Sequence, residues 1–401
     1  MKILHTSDWH IGQALYTKRR HEEHGAFLAW LKETIVARGV DALIVAGDVF
    51  DTGAPGGGAQ KLYYDFLTSL LGTCCKTVVV VAGNHDSPAM LEAPAAVLER
   101  LHIHIVGQWA GPERCVIPLV GPGGDVEALC CAVPYLRRSD MTRADDEITS
   151  DEKIVRATAQ IYVEAAQAAQ AAKTQYGDVP VIATGHLFAA GAARTEGDGV
   201  RELYVGSLGQ VGADAFPDDF CYVALGHIHG AQRVAAQERI RYSGAPLPMS
   251  FSETGSRKVV LEITPGETAE VEEIIVPCFQ RLERVSGCRD EILDRLWALK
   301  DENVWVEVTH TGDTLCSHLS ADAYDAVKGG QAQVLSVRDA AAVKNALGAT
   351  GPAETLDTVS VQDVFLRCMR EAGYGEDQQY EMIGCFNEIV ASLEEEAADA
   401  N

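Results

Sequence analysis

The feature that most constrains the fold is a series of short, continuous apolar runs rich in valine and isoleucine. Residues 42–46, 77–82 and 220–225 are examples, and helical patterns such as residues 22–38 and 61–71 separate the runs. Strands that are apolar at every position are buried on both faces, as in parallel sheets covered by helices. The pattern therefore predicts an α/β fold.

Five of the predicted strands end directly in polar residues of types that bind metals. These ends read Asp8-Trp9-His10, Gly47-Asp48, Gly83-Asn84-His85-Asp86, Gly185-His186 and Gly226-His227-Ile228-His229. Ligands of open α/β sheets gather beyond the carboxyl ends of the strands, so we expect the five ends to meet. In Asp-x-His and His-x-His, strand alternation would place both side chains on the same side of an extended segment. A preceding glycine lets the backbone approach a metal or phosphate closely.

The side chains in these motifs suit a pair of transition-metal ions. Aspartate, asparagine and histidine together favour Mn²⁺, Fe²⁺ or Zn²⁺ over Ca²⁺ or an all-thiolate zinc site. Seven ligands, one of them a bridging carboxylate, suffice for two ions roughly 3.5–4 Å apart, a pair that activates water for attack on a phosphate. Each motif alone is common as a turn or a core histidine. All five together indicate a phosphoester hydrolase.

Composition limits the compartment and the mode of substrate binding. The chain shows no secretion signal and no apolar stretch near the roughly 20 residues of a membrane helix, so we expect a cytoplasmic protein without a membrane span. Its 11 cysteines are odd in number and lack a C-x-x-C motif, which disfavours a zinc finger or a disulfide framework. A net charge of −25 repels nucleic acid on average.

Any contact with DNA must therefore come from local basic residues, metal ions or a partner. Lys18, Arg19 and Arg20 form the densest basic cluster of the N-terminal region and are the candidate contacts to a DNA backbone. The alternative interpretation of this cluster is a solvated helix start. Arg137 and Arg138 form a second, weaker candidate.

The pattern changes near residue 277, where alternating short helices and strands predict a small α+β unit. A pair of helices within residues 361–393 follows, and the second of them has a single apolar stripe. That stripe either packs on its own chain or binds a partner protein. The predicted parts of the chain are residues 1–278, 279–355 and 356–401.

The motifs resemble those of the calcineurin-like metallophosphoesterases, and in detail those of bacterial DNA-nuclease subunits within that superfamily. The resembling stretches are residues 3–12 (ILHTSDWHIG), 41–51 (DALIVAGDVFD), 80–87 (VVAGNHDS), 183–188 (ATGHLF), 203–206 (LYVG), 222–229 (YVALGHIH) and 241–253 (RYSGAPLPMSFSE). Generic members of the superfamily lack the last stretch. The resemblance implies a four-layer αββα sandwich with a small α+β capping domain and a C-terminal helical pair.

The resemblance also implies a role for each motif residue. The metal ligands would be Asp8, His10 and His229 for one ion, Asn84, His186 and His227 for the other, and Asp48 as the bridge. His85 would face the scissile phosphate and steady its charge or protonate the leaving oxygen. Asp86 would orient His85. Asp51, at a position where archaeal and eukaryotic relatives have histidine, would support the site.

The implied function is a Mn²⁺-dependent DNA nuclease that digests duplex ends 3′→5′ and cuts single strands internally. The resemblance further implies a homodimer that works with an SMC-like ATPase, whose surface could supply the basic charge that this chain lacks. The alternative is a small-substrate enzyme such as a cyclic-nucleotide phosphodiesterase or a protein phosphatase, which the acidic composition favours. A third hypothesis, a scaffold without catalysis, conflicts with the complete ligand set.

Overall fold

The computed structural model describes residues 1–141, 151–189, 211–312, 316, 318–340 and 369. The chain divides into two compact units, Met1–Arg281 and a second that begins at Leu282. The predicted first boundary, after residue 278, lies three residues from this division. Residues 203–206 and, apart from residue 369, the predicted helical pair at 361–393 lie outside the described part.

The first unit alternates strands and helices along most of its length. Its strands are β1 (Ile3–Thr6), β2 (Ala14–Leu15), β3 (Lys18–Arg19), β4 (Ala42–Ala46), β5 (Thr77–Val81), β6 (Ile103–Val106), β7 (Val116–Val120), β8 (Val126–Cys131), β9 (Val181–His186), β10 (Phe220–Gly226), β11 (Gln232–Val234), β12 (Gln237–Tyr242), β13 (Val259–Thr264) and β14 (Glu270–Ile275). Its helices are α1 (His21–Arg38), α2 (Gly57–Ser69), α3 (Pro88–Glu92), α4 (Ala95–Leu98), α5 (Pro112–Cys115), α6 (Arg138–Met141) and α7 (Asp151–Tyr176). The strands and helices named above from the sequence are confirmed, with ends shifted by a few residues.

Two six-stranded sheets form the centre of this unit. The first has the order β14-β13-β1-β4-β5-β6, in which β1, β4, β5 and β6 are parallel, β13 pairs antiparallel with β1, and β14 pairs antiparallel with β13. The second has the order β11-β12-β10-β9-β8-β7, in which β12, β10, β9 and β8 are parallel. The predicted parallel strands therefore occupy the middle of both sheets.

Alternating side chains show how the layers stack. Ile3 and Ile44 pack with Ile182 and Tyr222 of the second sheet in a core between the two sheets. The opposite face of the first sheet packs on α1 and α2, and the outer face of the second sheet packs on α7. The order of layers is helix, sheet, sheet, helix, which confirms the predicted αββα sandwich.

The second unit is a small α+β fold, as predicted. Its elements are β15 (Arg281–Gly287), α8 (Arg289–Leu299), β16 (Val304–His310), α9 (Leu319–Val327) and β17 (Gln333–Asp339). The strands form a sheet in the order β15-β16-β17, and the two helices bury apolar side chains against it. Among the described residues of the whole chain, no helix is long and apolar enough to cross a membrane.

Candidate metal centre

The five polar motifs meet at the carboxyl ends of parallel strands from both sheets. The loops after β1 and β4 continue the strand pairing, since the Asp8 N–H donates to the Gly47 carbonyl at 3.0 Å and the His10 N–H to the Asp48 carbonyl at 3.0 Å. The His227 N–H after β10 donates to Asp8 Oδ1 at 2.9 Å and so joins the second sheet to the first. The predicted convergence is thus observed.

The candidate ligands form two groups, in each of which the three ligand atoms lie within 4.8 Å of one another. The groups are Asp8, His10 and His229, and Asp48, His186 and His227. Asn84 adjoins the second group, with its Oδ1 at 3.0 Å from His186 Nε2 and 2.9 Å from His227 Nδ1. This is the grouping that the family resemblance implies.

Asp48 stands between the two groups. Its Oδ2 lies 3.2 Å from His186 Nε2 and 3.7 Å from His10 Nε2. Burial by itself would raise the pKa of Asp48, but the neighbouring imidazoles, foremost that of His186, hold it well below its usual range. Burial would likewise lower the pKa of His186, but the Asp48 carboxylate raises it to about 9. Asp48 is thus an ionised carboxylate that lies close to His186 of one group and His10 of the other, as a ligand that bridges two ions would.

The donor set fits divalent cations. Nε2 of His10, the ring nitrogen on the side of Asp48, is buried and has no hydrogen-bond partner among the described residues. Buried polar atoms are rarely left unpaired, and a bound cation would give this nitrogen a partner. The mixture of carboxylate, amide and imidazole donors suits Mn²⁺, Fe²⁺ or Zn²⁺.

Four ligand residues have a left-handed backbone: φ is +52° at Asp8, +45° at His10, +48° at Asp48 and +101° at His227. Residues other than glycine rarely adopt this conformation, and such strain is concentrated at functional sites. The angles correct one argument from the sequence. The Asp-x-His and His-x-His segments are not extended, and His227 and His229 belong to different groups.

Glycines next to the ligands allow very close packing. A Cβ at Gly47 would lie 2.1 Å from His186 Nδ1, and φ at this glycine is +90°. A Cβ at Gly83 would lie 2.1 Å from Asp48 Oδ1. Both distances are far below a van der Waals contact, so these glycines are needed for the close approach of two candidate ligand side chains; their predicted approach to a metal or phosphate stays a prediction.

His85 lies beside the Asp8 group and is half-buried. Its Nδ1 donates to the Asp51 carbonyl at 2.9 Å, and its ring meets that of His10 edge-on at 4.8 Å between centroids. With Nδ1 occupied in this way, Nε2 is the atom available to a substrate. The Asp51 carboxylate lies near both rings: its Oδ1 is 3.4 Å from His10 Nδ1, and one ligand atom from each of His10, Asp51 and His85 lies within 4.8 Å of the others.

Asp86 does not orient His85, so that prediction is wrong. Its carboxylate instead accepts hydrogen bonds of 3.1, 3.0 and 2.9 Å from the backbone N–H groups of Val49, Phe50 and Gly83. These bonds occupy both carboxylate oxygens. Asp86 therefore ties the loop after β4 to the loop after β5, and its effect on the centre passes through the backbone.

The predicted basic cluster is divided by burial. Lys18 is half-buried and Arg19 is exposed, so both stay candidates for DNA contact. Arg20 is buried, its guanidinium pairs with both Glu23 oxygens at 2.7 and 2.9 Å, and it donates to the Pro248 carbonyl at 2.8 Å. The prediction that Arg20 contacts DNA is wrong, because its donors are used to brace the chain near residue 248.

Arg137 joins the candidate contacts more firmly than its sequence context indicated. Its Nη2 donates to the Asp86 carbonyl at 3.0 Å, and its guanidinium lies over the Tyr135 ring at 5.6 Å. The Tyr135 ring lies edge-on to His186, with 6.3 Å between centroids. Nη1 of Arg137 is buried and has no hydrogen-bond partner among the described residues. A free N–H donor beside the centre is suited to donate a hydrogen bond to a phosphate oxygen.

Sequence reasoning also missed the residues behind the Asp8 group. The Ser7 hydroxyl donates to Asp8 Oδ2 at 2.5 Å and meets the Ser243 hydroxyl at 2.9 Å. Glu253, which is buried, approaches His229 from the same part of the chain. The available signal was residues 241–253, a stretch that distinguished this chain from generic relatives but had no assigned role.

Comparison with known proteins agrees with this geometry. Residues 1–230 match the calcineurin-like phosphoesterases, and residues 278–372 match a domain described as the type 5 capsule protein repressor C-terminal domain. The chain is 36% identical to the SbcD subunit of nuclease SbcCD from Escherichia coli strain K12 over 98% of both chains. The chain belongs to the SbcD family of calcineurin-like phosphoesterases.

Other SbcD relatives extend the similarity. The SbcD subunit of nuclease SbcCD from Bacillus subtilis is 30% identical over 99% of this chain and 100% of its own, and that from Rhodobacter capsulatus is 41% identical over 64% of each chain. A solved β-glucosidase from Exiguobacterium marinum covers 84% of this chain and 88% of its own at 10% identity, with a TM-score of 0.22 that does not indicate a common fold. As an SbcD-family phosphoesterase, the chain is a metal-dependent hydrolase.

Proposed function

We propose that this chain is the DNA nuclease subunit of an SbcCD-type complex and that it hydrolyses DNA phosphodiesters with two divalent ions, Mn²⁺ foremost. Two relatives named as SbcD subunits of nuclease SbcCD match over 98% and 99% of its length. The observation that carries the chemistry is the contact of Asp48 with an imidazole of each ligand group. One carboxylate shared by two ions is typical of sites that hydrolyse phosphoesters.

The proposal gives each side chain of the centre a task. The residues that would hold the ions are Asp8, His10 and His229 for the first, Asn84, His186 and His227 for the second, and Asp48 for both. When bound, the ions neutralise charge on the phosphate and activate a water molecule. His85, fixed through Nδ1 by the Asp51 carbonyl, directs Nε2 to the phosphate or protonates the leaving oxygen.

Three basic side chains are the proposed phosphate contacts of the first unit. Lys18 and Arg19 lie on β3, a few residues after the Asp8-Trp9-His10 motif. Arg137 contacts the backbone of Asp86 and has a buried donor without a partner among the described residues. Because the whole chain carries a net charge of −25, we propose that a partner supplies most of the DNA-binding surface.

We further propose a homodimer that works in the cytoplasm with an SbcC-type SMC-like ATPase on double-stranded DNA ends and single-stranded DNA. The relatives are named as one part of the SbcCD nuclease, which supports a complex. Residues 279–355 would cap the DNA, and residues 356–401 would bind the partner.

The alternative, a small-substrate phosphoesterase such as a cyclic-nucleotide phosphodiesterase, would use the same metal chemistry. The acidic composition is the feature that favours it. Similarity to nuclease subunits over nearly the whole length, including the second unit, favours the nuclease.

The test is cleavage of an end-labelled duplex with Mn²⁺, with and without the ATPase partner and ATP. We expect end-dependent cleavage that falls by about 10²–10⁴-fold in His85→Ala, because a positioned proton donor or charge-stabilising group is lost. His102→Asn, at an exposed histidine of the first unit whose left-handed backbone (φ +58°) asparagine tolerates, should cleave like the wild type.

Metal analysis accompanies this assay. We expect two Mn²⁺ per chain in the wild type and in His85→Ala, and loss of metal in Asp48→Ala. Failure to cut DNA under every condition, with good turnover of a small phosphodiester, would contradict the nuclease and favour the alternative. A single bound ion in the wild type would contradict the bridging role of Asp48.

A further inference from the structure

Two buried polar atoms face each other behind the Asp8 group, and neither has a hydrogen-bond partner among the described residues. They are Nδ1 of His229 and Oε1 of Glu253, 3.8 Å apart. Both residues are about 4% exposed. A movement of about 1 Å by either side chain would bring the atoms to hydrogen-bond distance. Because leaving both groups unpaired is costly, this small movement is favoured.

Lys258 fixes the other end of the Glu253 carboxylate. Its Nζ pairs with Glu253 Oε2 and also lies 3.3 Å from the backbone carbonyl of His229. Lys258 is itself 9% exposed, so its charge balances that of Glu253 inside the protein. The three groups thus form one buried cluster around His229.

The backbone that carries Glu253 is also held in place. Glu253 ends a 3-10 turn, in which its N–H donates to Ser250 at 3.2 Å and its carbonyl accepts from Ser256 at 3.0 Å. Upstream of this turn, Arg20 donates to the Pro248 carbonyl. A carboxylate on a braced turn is suited to hold a second side chain in one orientation.

His186 and His10 each have one ring nitrogen near Asp48. In both, the other ring nitrogen, Nδ1, already has a neighbour on the side away from Asp48. His186 donates from Nδ1 to the Ala46 carbonyl at 2.9 Å, and His10 Nδ1 lies 3.4 Å from an Asp51 carboxylate oxygen. Histidine ligands of metals usually donate their second ring nitrogen to such a partner, which selects the tautomer and orients the ring. Glu253 occupies the equivalent place for His229.

We propose that Glu253 is a positioning residue of the metal centre, which accepts a hydrogen bond from the Nδ1–H of His229 so that Nε2 faces the ion held with Asp8 and His10. Lys258 keeps this carboxylate ionised and aimed. This role explains why Glu253 stands at the end of residues 241–253, a stretch to which the proposed function assigns no task. The inference rests on the metal centre proposed above.

The test uses two double variants of the full chain that differ in one acceptor oxygen. Glu253→Leu with Lys258→Met removes the whole ion pair, so that no uncompensated charge is buried and the fold is retained. Glu253→Gln with Lys258→Met also removes both charges but restores an oxygen that can accept from His229. Each protein is titrated with Mn²⁺, and the tautomer of His229 is read by ¹⁵N NMR on the metal-free form.

We expect the Leu/Met variant to bind one of its two Mn²⁺ ions about 10–100-fold more weakly, the usual effect of losing an outer-shell partner, while the other ion is little affected. Its His229 ring should show a mixture of tautomers, whereas the wild type carries the proton on Nδ1. The Gln/Met variant should recover most of both properties.

Wild-type Mn²⁺ affinity in the Leu/Met variant, or equal losses in both variants, would overturn the inference. So would a wild-type His229 that carries its proton on Nε2. Failure of the wild type to bind Mn²⁺ would instead count against the proposed function, and the tautomer measurement, which needs no metal, would still decide the role of Glu253.

Discussion

Single residues with buried charge hold the loops that carry the ligands. Arg20 is the clearest case, because it joins Glu23 at the start of α1 to the backbone near Pro248. An exposed arginine at this position would be a candidate contact to DNA, as the sequence analysis predicted. Burial gives it a structural task instead, and that task can be measured.

Replacement of Arg20 by methionine should lower the free energy of unfolding by about 3–5 kcal/mol, because Glu23 is left buried without a partner. Lys18→Met, at a half-buried neighbour, should change it by no more than about 0.5 kcal/mol. Urea unfolding of the metal-free proteins measures both. Similar small changes in the two variants would show that Arg20 does not brace the fold.

His5 makes stability depend on pH. It lies between the two sheets, hydrogen-bonded to the Tyr222 hydroxyl at 3.0 Å, and burial lowers its pKa from 6.5 to about 3. Below pH 6.5 the unfolded chain binds a proton that the folded chain does not, so stability is present above 6.5 and is lost as pH falls toward 3. At pH 5 this single group costs about 2 kcal/mol relative to pH 7.5.

His5→Asn places an amide nitrogen near the position of Nδ1 and cannot titrate. The loss of stability between pH 7.5 and pH 5 should therefore be smaller in this variant than in the wild type by about that amount. Urea midpoints at the two pH values provide the comparison. An identical loss in both proteins would mean that the pKa of His5 is the same in the folded and unfolded chain, and would contradict its lowering by burial.

The convergence of the candidate ligand residues could be predicted from the sequence because each follows a strand directly and is of a type that binds metals. The residues behind them could not. Arg20 meets Pro248 across 228 positions, and Glu253 and His229 are 24 positions apart with no periodic pattern between them. Such contacts are set by the packing of complete layers, so a local pattern carries no trace of them.

At the scale of elements, the loops after the parallel strands are as important as the strands. Gly47 and Gly39 provide a matched pair, since both have positive φ, +90° and +67°. Gly39 ends α1 and has open space where a Cβ would go, whereas a Cβ at Gly47 meets His186. Substitution at Gly39 tests only the strain of a left-handed backbone, whereas substitution at Gly47 tests that strain together with the close contact to His186.

Gly39→Ala should cost about 1–2 kcal/mol of stability, the usual penalty of a left-handed backbone, and leave Mn²⁺ binding unchanged. Gly47→Ala adds the collision with His186 and should weaken Mn²⁺ binding about tenfold or more, as losses around ligand residues do. Isothermal titration with Mn²⁺ and urea unfolding test the pair. Equal metal affinity in both variants would contradict the requirement for close approach.

The central strands were predictable and several outer ones were not. Strands β4, β5 and β10 are buried at every position and read as continuous apolar runs. Strand β7 includes Pro118 and β14 is mostly exposed glutamate, and both lie at sheet edges, where a missing N–H or a polar face is tolerated. Edge strands therefore lacked the pattern that identified the core.

At the scale of the whole molecule, the negative net charge of the chain repels DNA, its proposed substrate. A net charge of −25 leaves few places for a DNA backbone, and Lys18, Arg19 and Arg137 are the contacts proposed above. Each phosphate contact contributes about 0.9 to the slope of log affinity against log salt for duplex DNA. The number of contacts can therefore be counted by titration.

We expect a slope of about −3 for the chain without its ATPase partner, from three phosphate contacts, and a much steeper slope for the complex. Fluorescence anisotropy with a labelled duplex and Ca²⁺ in place of Mn²⁺ measures both. Lys18→Gln with Arg19→Gln should reduce the first slope by about two. A slope steeper than about −6 for the isolated chain would place the main DNA-binding surface on this protein after all.

The position of β1 has a consequence for how the enzyme is made. β1 lies between β4 and β13, and its pairing with β13 joins Ile3 to Ile263. β1 is synthesised before β13, so its pairing on this side must wait for one of the last strands of its unit. His229, Glu253 and Lys258 are also delivered late. A partly synthesised chain has neither a complete sheet nor the complete set of proposed ligands, so we expect no hydrolysis before the whole first unit has been made.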